Sequence, residues 1–286
     1  MAGYVCTIAG GKGGVGKTTT AVNIAAILEE HGYETVVVDA DLGMANLGEM
    51  LGVEHEQSVH EILAGNSTVS EALTDAQGGM TVVPGEQSLE AFAEADPAKL
   101  RKVIRTLRNP YDVVLVDTGA GLSHETTVPL GIAEGILLCT TPDTVAVGDT
   151  VKTAELAHRV DGSIIGGIVT RVTRNTDVED IAAEFDFPLL GVIPVDVQAT
   201  EEEPLVINTP DSQAAEAYRQ LTDSLERVFF EGVSGEDLEQ VFDRRWFLDE
   251  DEIAELDPAN EDEADGDDDD DGGEDTTGMF GVFRTG

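Results

Sequence analysis

The chain has 286 residues, of which 58 are acidic and 16 are Lys or Arg, so its formal net charge is −42. A hydrophobic content of 41% with 31 glycines is typical of a globular protein and excludes a fibrous or wholly disordered chain. So acidic a surface repels phosphate backbones, and we expect no nucleic-acid partner.

The negative charge is spread along the chain: residues 231–286 hold 22 of the acidic and 3 of the basic residues, and residues 1–230 hold the rest. Molar salt shortens the screening length to about 3 Å, which removes most of the self-repulsion. The composition therefore predicts a halophilic protein. No apolar run reaches the roughly 18 residues that span a bilayer, and we find no signal peptide, so we expect a cytoplasmic protein.

Residues 1–230 alternate short β-branched runs with longer helical patterns. Several of the runs are apolar on both faces, as in VVLVD and ILLC, which is typical of a parallel sheet covered on both sides. The predicted strands are Tyr4–Ala9, Thr35–Asp39, Met80–Val83, Val113–Asp117, Gly135–Thr140, Ser163–Arg171 and Pro188–Ile193. The predicted helices are Thr18–His31, Pro97–Leu107, Asp143–Val160, Val178–Phe185 and Ser212–Phe229.

This alternation predicts an α/β domain over residues 1–230, with a mostly parallel twisted sheet between two layers of helices. In such a fold, ligands bind beyond the carboxyl ends of the strands. Residues 231–248 predict an amphipathic helical extension, with apolar residues at Leu238, Val241, Phe242 and Trp246. Residues 249–286 predict a disordered acidic tail, which ends in a short apolar tip.

The first predicted strand is followed at once by a glycine-rich loop that matches G-x-x-x-x-G-K-[ST]. Glycines allow successive backbone N–H groups to surround a phosphate, and the following helix N-terminus adds partial positive charge. In this pattern Lys17 reaches the β- and γ-phosphates and the Thr18 hydroxyl binds Mg²⁺. We therefore expect nucleotide phosphates to bind at Gly11, Lys12, Gly13, Gly14, Val15, Gly16, Lys17, Thr18 and Thr19.

A second lysine, Lys12, stands at the near end of the loop in the sequence KGGVGKTT. In this the chain resembles the MinD/ParA family of P-loop ATPases, whose variant loop reads KGGxGK[ST]. The resemblance implies that Lys12 reaches across a dimer interface to the partner's ATP, so that ATP binding produces a homodimer. The acidic composition suggests that the chain resembles most closely the MinD-like proteins of haloarchaea.

The same resemblance assigns roles to acidic residues at two other strand ends. Asp39 and Asp41, in VVVDADLGMANL, match the family's D-x-D: Asp41 would orient or activate the attacking water, and Asp39 would bind Mg²⁺ through water. Asn46 matches the family's asparagine beside the phosphates. Asp117, at the end of VVLVD, matches a Walker B aspartate that holds Mg²⁺. Gly119 stands where the family usually has proline.

The base-binding end departs further from the family. Thr170-Arg171 stands where the family has Asn-Arg and where the asparagine reads adenine, which leaves the choice between ATP and GTP open. Pro194 and Asp196 match the family's loop beside the base. The resemblance covers residues 3–230.

Family members use ATP-driven dimerisation to recruit a partner, and hydrolysis to ADP and phosphate reverses it. The resemblance thus implies a slow, partner-stimulated ATPase that positions division, motility or other polar machinery, with cargo and activator unidentified. A non-catalytic nucleotide-gated module and a ParA-like partitioning or assembly regulator are the alternatives. The tip Met279–Arg284 has three interpretations: a peripheral anchor on the inner face of the cell membrane, a partner-docking peptide, and a terminus without a role.

Overall fold

The computed structural model describes residues 2–121, 124–196 and 202–238, and eight strands in these ranges form one sheet. Its order is β3-β4-β2-β5-β1-β6-β7-β8, in which neighbours are parallel except for the antiparallel pair β3–β4. The predicted α/β class with a mostly parallel sheet is confirmed. The strands are β1 (Tyr4–Ala9), β2 (Thr35–Ala40), β3 (Thr74–Asp75), β4 (Thr81–Val83), β5 (Val113–Thr118), β6 (Gly135–Thr140), β7 (Ile164–Val172) and β8 (Leu189–Pro194).

Helices connect the strands throughout the described ranges. They are α1 (Lys17–Glu30), α2 (Leu47–Met50), α3 (Val59–Ala64), α4 (Val69–Ala72), α5 (Leu89–Glu94), α6 (Leu100–Leu107), α7 (His124–Leu130), α8 (Thr144–Arg159), α9 (Val178–Ala182), α10 (Leu205–Asn208) and α11 (Gln213–Glu226). Short 3₁₀ turns lie at Gln77–Gly79, Pro97–Lys99 and Gly235–Leu238, and a π turn lies at Arg227–Glu231.

The apolar runs in the strands are long because the sheet is covered by helices. Val36 and Val38 of β2 and Val114 of β5 belong to a buried cluster with Leu63 of α3 and Ile104 of α6. Helix α1 packs against β5 and α11, and α11 packs against β8. Every residue of β2, β5 and β6 is buried, as expected for strands covered on both faces.

The structure differs from the predicted elements mainly at their ends. Each of the seven predicted strands is present within one residue of its predicted bounds. Helix α8 begins at Thr144 because the Asp143 carboxylate accepts a hydrogen bond from the N–H of Ala146 and thereby caps the helix. The strand β3 and six short helices (α2, α3, α4, α5, α7 and α10) were not predicted, because segments of two to seven residues are too short to show a periodicity.

The predicted helical extension is only partly described. Leu238 is buried at the end of the 3₁₀ turn, whereas Val241, Phe242 and Trp246 lie outside the described residues. The acidic tail and the tip Met279–Arg284 also lie outside them, so these parts of the domain division stay predictions. None of the helices in the described ranges has the length and apolar character needed to cross a membrane.

Candidate functional site

The glycine-rich loop leaves β1 near the centre of the sheet and leads directly into α1. Gly14 and Gly16 have φ values of 75° and 88°, a left-handed conformation that favours glycine. A Cβ on Gly11 would lie 2.2 Å from the backbone of Asp149 in α8, so the loop and this helix are in direct contact. The start of the loop is therefore packed against α8, and its end leads into the N-terminus of α1, which favours an anion.

The two residues that follow the loop differ in their environment. Lys17 is 7% exposed, and its ammonium lies 3.4 Å from the backbone carbonyl of Lys12. The Thr18 hydroxyl donates a 2.6 Å hydrogen bond to Oδ2 of Asp117 and lies 3.3 Å from Oδ1 of Asn46. Thr18 thus connects the start of α1 to the ends of β5 and of the loop after β2.

Asp39 and Asp117 are fully buried at the carboxyl ends of β2 and β5. Burial and the nearby Asp39 carboxylate raise the pKa of Asp117 to about 8. Burial raises the pKa of Asp39 to about 6, although hydrogen bonds from three backbone N–H groups partly oppose this shift. The two buried carboxylates are partners in the register of the adjacent strands β2 and β5. Such a pair favours a bound cation or a proton on one of the two carboxylates.

Asp117 has the features of a metal ligand. Its Oδ1 is buried and has no hydrogen-bond partner among the described residues. Carboxylate and hydroxyl oxygens suit Mg²⁺, so Asp117 and Thr18 fit the metal expected from the sequence. Asp39 bonds instead to the N–H groups of Asp41, Asn46 and Leu47 at 3.1–3.2 Å, which anchors the loop after β2. Its predicted role toward Mg²⁺ through water stays a prediction.

The loop after β2 carries Asp41 and Asn46 into the site. Oδ1 of Asp41 accepts a 3.0 Å hydrogen bond from the N–H of Met44. A Cβ on Gly119 would lie 2.9 Å from the same oxygen, so the Asp41 carboxylate rests against the backbone that follows Asp117. Asp41 and Gly119 therefore bring the loop after β2 into contact with the segment after β5.

Lys17, Thr18, Asp41 and Asn46 line a cleft of about 510 Å³. Its lining includes most of the glycine-rich loop, both segments that bear aspartates and the end of β7. The structure thus brings together residues that are distant in the sequence, which include Gly13, Gly14, Gly16, Lys17, Thr18, Thr19, Asp41, Asn46 and Arg171. Val15 is buried behind the loop.

Lys12 takes a different direction from Lys17. Its ammonium lies 3.0 Å from Oδ1 of Asp143, and 45% of its side chain is exposed. Lys12 does not belong to the described lining of the cleft. Asp143 could not be predicted as the partner of Lys12. The sequence showed it only as an aspartate at the start of a predicted helix after β6.

The residues predicted for the base are divided between two roles. Arg171 lines the cleft with a left-handed backbone, φ 56°. Thr170 is buried. Its hydroxyl is the donor toward two backbone carbonyl oxygens, that of Val15 at 2.8 Å and that of Thr140 at 3.1 Å. Pro194 ends β8, and Oδ2 of Asp196 accepts a 3.4 Å hydrogen bond from the N–H of Ala214 at the start of α11. Thr170 thus holds the loop, and only Arg171 of these residues reaches the described cleft.

A glycine-rich loop between a buried strand and a helix, with a lysine, a threonine and a strand-end aspartate around one cleft, defines a P-loop nucleotide-binding protein. The comparisons with known proteins agree. A family described as an AAA domain matches residues 3–164. An uncharacterised ATP-binding protein of Methanocaldococcus jannaschii is 34% identical over 226 residues, which cover 76% of this chain and 86% of that protein.

Two solved structures are similar over most of their length. The cell division ATPase MinD of Pyrococcus furiosus has a TM-score of 0.75 and 33% identity, and the match covers 79% of this chain and 99% of that one. The septum site-determining protein MinD of Pyrococcus horikoshii, complexed with Mg-ADP, has a TM-score of 0.75 and 32% identity, with 80% and 98% covered. The chain belongs to the MinD/ParA family of P-loop ATPases, and its ligands are ATP and Mg²⁺.

Proposed function

We propose that this protein is a MinD-like ATPase that forms a homodimer when it binds ATP and returns to monomers when it hydrolyses ATP to ADP and phosphate. One subunit would bind another more tightly with ATP than with ADP, and this difference would make the protein a switch whose timing is set by hydrolysis. Its use would be the spatial positioning of machinery such as the division site, as the names of the MinD proteins of Pyrococcus suggest.

The observation that supports this proposal best is the contrast between the two lysines of the loop. Lys17 is buried and directed to its own cleft, whereas Lys12 is exposed and lies outside the described lining. An ammonium that points away from its own cleft can bind the phosphates of a second subunit once it leaves Asp143. Because attraction to a triphosphate is strong in a water-excluded interface, one lysine would couple nucleotide binding to dimerisation.

Hydrolysis is supported by the position of Asp41. Asp41 lines the same cleft as Thr18 and Asn46, whose side chains lie within hydrogen-bond distance of each other. A carboxylate there can orient a water for attack on the γ-phosphate. Thr18 and Asp117 would hold Mg²⁺, which would supply positive charge beside the phosphates. The non-catalytic module and the partitioning regulator remain alternatives. The cargo and activator would be other proteins. The apolar tip would serve as a peripheral membrane anchor or a docking peptide, or would have no role.

The test is the mass of the protein in solution, measured by light scattering after gel filtration in molar KCl with Mg²⁺ and either ATP or ADP. We expect a dimer with ATP and a monomer with ADP. Lys12→Ala should weaken the ATP-dependent dimer at least about tenfold without weakening the binding of ADP. The matched control is Lys152→Ala, which removes another exposed lysine that is paired with Asp149 on α8. An ATP-dependent dimer that survives Lys12→Ala would disprove the coupling.

Single-turnover hydrolysis distinguishes the ATPase from the non-catalytic module. Asp41→Ala should slow the reaction at least about a hundredfold and should prolong the dimeric state with ATP. An equal rate in the two proteins would remove the catalytic assignment of Asp41. No hydrolysis in the wild type, together with ATP-dependent dimerisation, would favour the module.

A further inference from the structure

His60, on α3, is fully buried and lies outside the described lining of the cleft. Both ring nitrogens are nevertheless used. Nε2 lies 2.9 Å from the carbonyl oxygen of Leu42, and Nδ1 lies 3.1 Å from the N–H of Glu86. Because a carbonyl only accepts and an N–H only donates, the ring is assigned as the tautomer with its proton on Nε2.

The two groups that the imidazole joins belong to different loops. Leu42 follows Asp41 in the loop after β2, and Glu86 lies in the loop after β4. The second loop packs against the first: a Cβ on Gly85 would lie 2.3 Å from Cβ of Ala45, and Nε2 of Gln87 donates a 2.9 Å hydrogen bond to the carbonyl of Ala45. The imidazole lies between the two loops as a buried bridge.

The loop after β2 needs such a bridge because its outer residues are exposed. Met44 is 78% exposed, whereas Leu42 and Ala45 are buried. The Asp39 carboxylate anchors the loop at the N–H groups of Asp41, Asn46 and Leu47. His60 adds a hydrogen bond to the carbonyl of Leu42, the residue after Asp41. A shift of about 1 Å in a catalytic group can slow a reaction about a hundredfold, so the position of this carbonyl matters for hydrolysis.

We propose that His60 is a positioning residue for ATP hydrolysis: by donating from Nε2 to the Leu42 carbonyl, it holds the Asp41 carboxylate where it orients the attacking water. The inference rests on the proposed ATPase function. His60 touches neither nucleotide nor metal; it acts through the loop. Its removal therefore slows hydrolysis and leaves the affinity for nucleotide, which depends on the glycine-rich loop, nearly unchanged.

Substitution of His60 by glutamine or by asparagine distinguishes the positioning role from a role in packing alone. The amide of glutamine reaches the position of Nε2 and can donate to Leu42, whereas the shorter amide of asparagine reaches only the position of Nδ1 and can accept from Glu86. We expect His60→Gln to hydrolyse ATP within about threefold of wild type and His60→Asn to be at least about tenfold slower, both with nucleotide affinity within about threefold.

Val59→Ala is the matched control for lost stability. Val59 is a fully buried neighbour on α3, and its side chain is part of the apolar core. The control should melt at a lower temperature and keep the wild-type rate of hydrolysis. If it slows hydrolysis as much as His60→Asn does, or if His60→Asn keeps the wild-type rate, the inference is wrong. The double variant His60→Asn with Asp41→Ala should be no slower than Asp41→Ala alone, and a further tenfold loss would contradict action through Asp41.

Hydrogen exchange followed by mass spectrometry tests the same inference without hydrolysis. With nucleotide bound, His60→Asn should accelerate exchange in residues 41–47 at least about tenfold, whereas His60→Gln and Val59→Ala should leave it close to wild type. Unchanged exchange in His60→Asn overturns the inference even if the wild type proves inactive. The wild type could lack ATPase activity while His60→Asn still accelerates exchange in the loop. That result would refute the proposed ATPase function, and it would support the finding that His60 holds the loop after β2.

Discussion

Asp39 and Asp117 stand opposite each other in the register of the adjacent strands β2 and β5, and both side chains are fully buried. Asp39 is surrounded by backbone N–H groups, whereas Oδ1 of Asp117 has no partner among the described residues. The pair is stable as a charged pair only with a cation beside it. This relationship connects the metal site to the stability of the protein.

Replacing Asp117 by asparagine should therefore change stability and binding in opposite directions. Without nucleotide and metal at about pH 9, Asp117 is mostly charged because its raised pKa is about 8, and Asp117→Asn should then stabilise the protein by about 1 kcal/mol, since it removes a buried charge. The melting temperature should rise by about 2–4 °C. With Mg²⁺, nucleotide affinity should fall at least about tenfold because a metal ligand is lost. Calorimetry measures both quantities. A variant that is less stable without ligands, or that keeps the magnesium-dependent affinity, would contradict the assignment.

A side chain at position 119 should disturb Asp41. The Cβ of Gly119→Ala would lie 2.9 Å from Oδ1 of Asp41, so the carboxylate must shift from its present position beside the N–H of Met44. We expect hydrolysis at least about tenfold slower with nucleotide affinity nearly unchanged. Gly148→Ala is the control: its Cβ meets open space on α8, and it should stabilise the helix by about 0.5–1 kcal/mol. Equal rates in the two variants would show that the contact with Gly119 does not position Asp41.

Asp143 should restrain Lys12 in the monomer. Its Oδ1 pairs with the Lys12 ammonium and also caps α8. Asp143→Asn keeps a good capping residue and removes the charge, so it should free Lys12 and strengthen the ATP-dependent dimer, by no more than about fivefold because the pair is exposed. Sedimentation at several protein concentrations gives the dissociation constant. A weaker dimer would mean that Asp143 supports the dimer instead of restraining Lys12.

Salt should stabilise the protein strongly. With a net charge of −42, repulsion among carboxylates is greatest at low ionic strength, and molar KCl screens it. We expect the melting temperature, followed by circular dichroism, to rise by at least about 5 °C between 0.1 M and molar KCl. Sucrose at equal osmolality is the control for effects that do not depend on charge. Equal melting temperatures at the two salt concentrations would refute the halophilic interpretation.

The parts of the site that could be predicted from the sequence are local ones. The glycine-rich loop is one continuous segment, and its glycines are required by the backbone itself, as the φ values of Gly14 and Gly16 show. The buried strands are recognisable because a strand covered on both faces is apolar throughout. Asp39 and Asp117 could be placed at the sheet edge because parallel strands end on the same side.

The long-range partners of these residues could not be predicted. Lys12 meets Asp143 across 131 positions, and Thr170 meets Val15 across 155. The resemblance places Thr170 at the family's base-reading position, and the contacts of its hydroxyl with two backbone carbonyls could not be predicted. The bridge formed by His60 was also unpredicted, since a lone histidine on a short helix shows no pattern.

The sequence alone determines the class of fold and of ligand. Both follow from short segments, the buried strands and the glycine-rich loop, whose conformation depends on their own backbone and apolar content. Which of those side chains face the cleft, which hold a loop and which point outward depends on strand register and on contacts between distant segments. Those contacts exist only after the sheet has formed, because packing and hydrogen bonding then select one direction for each side chain.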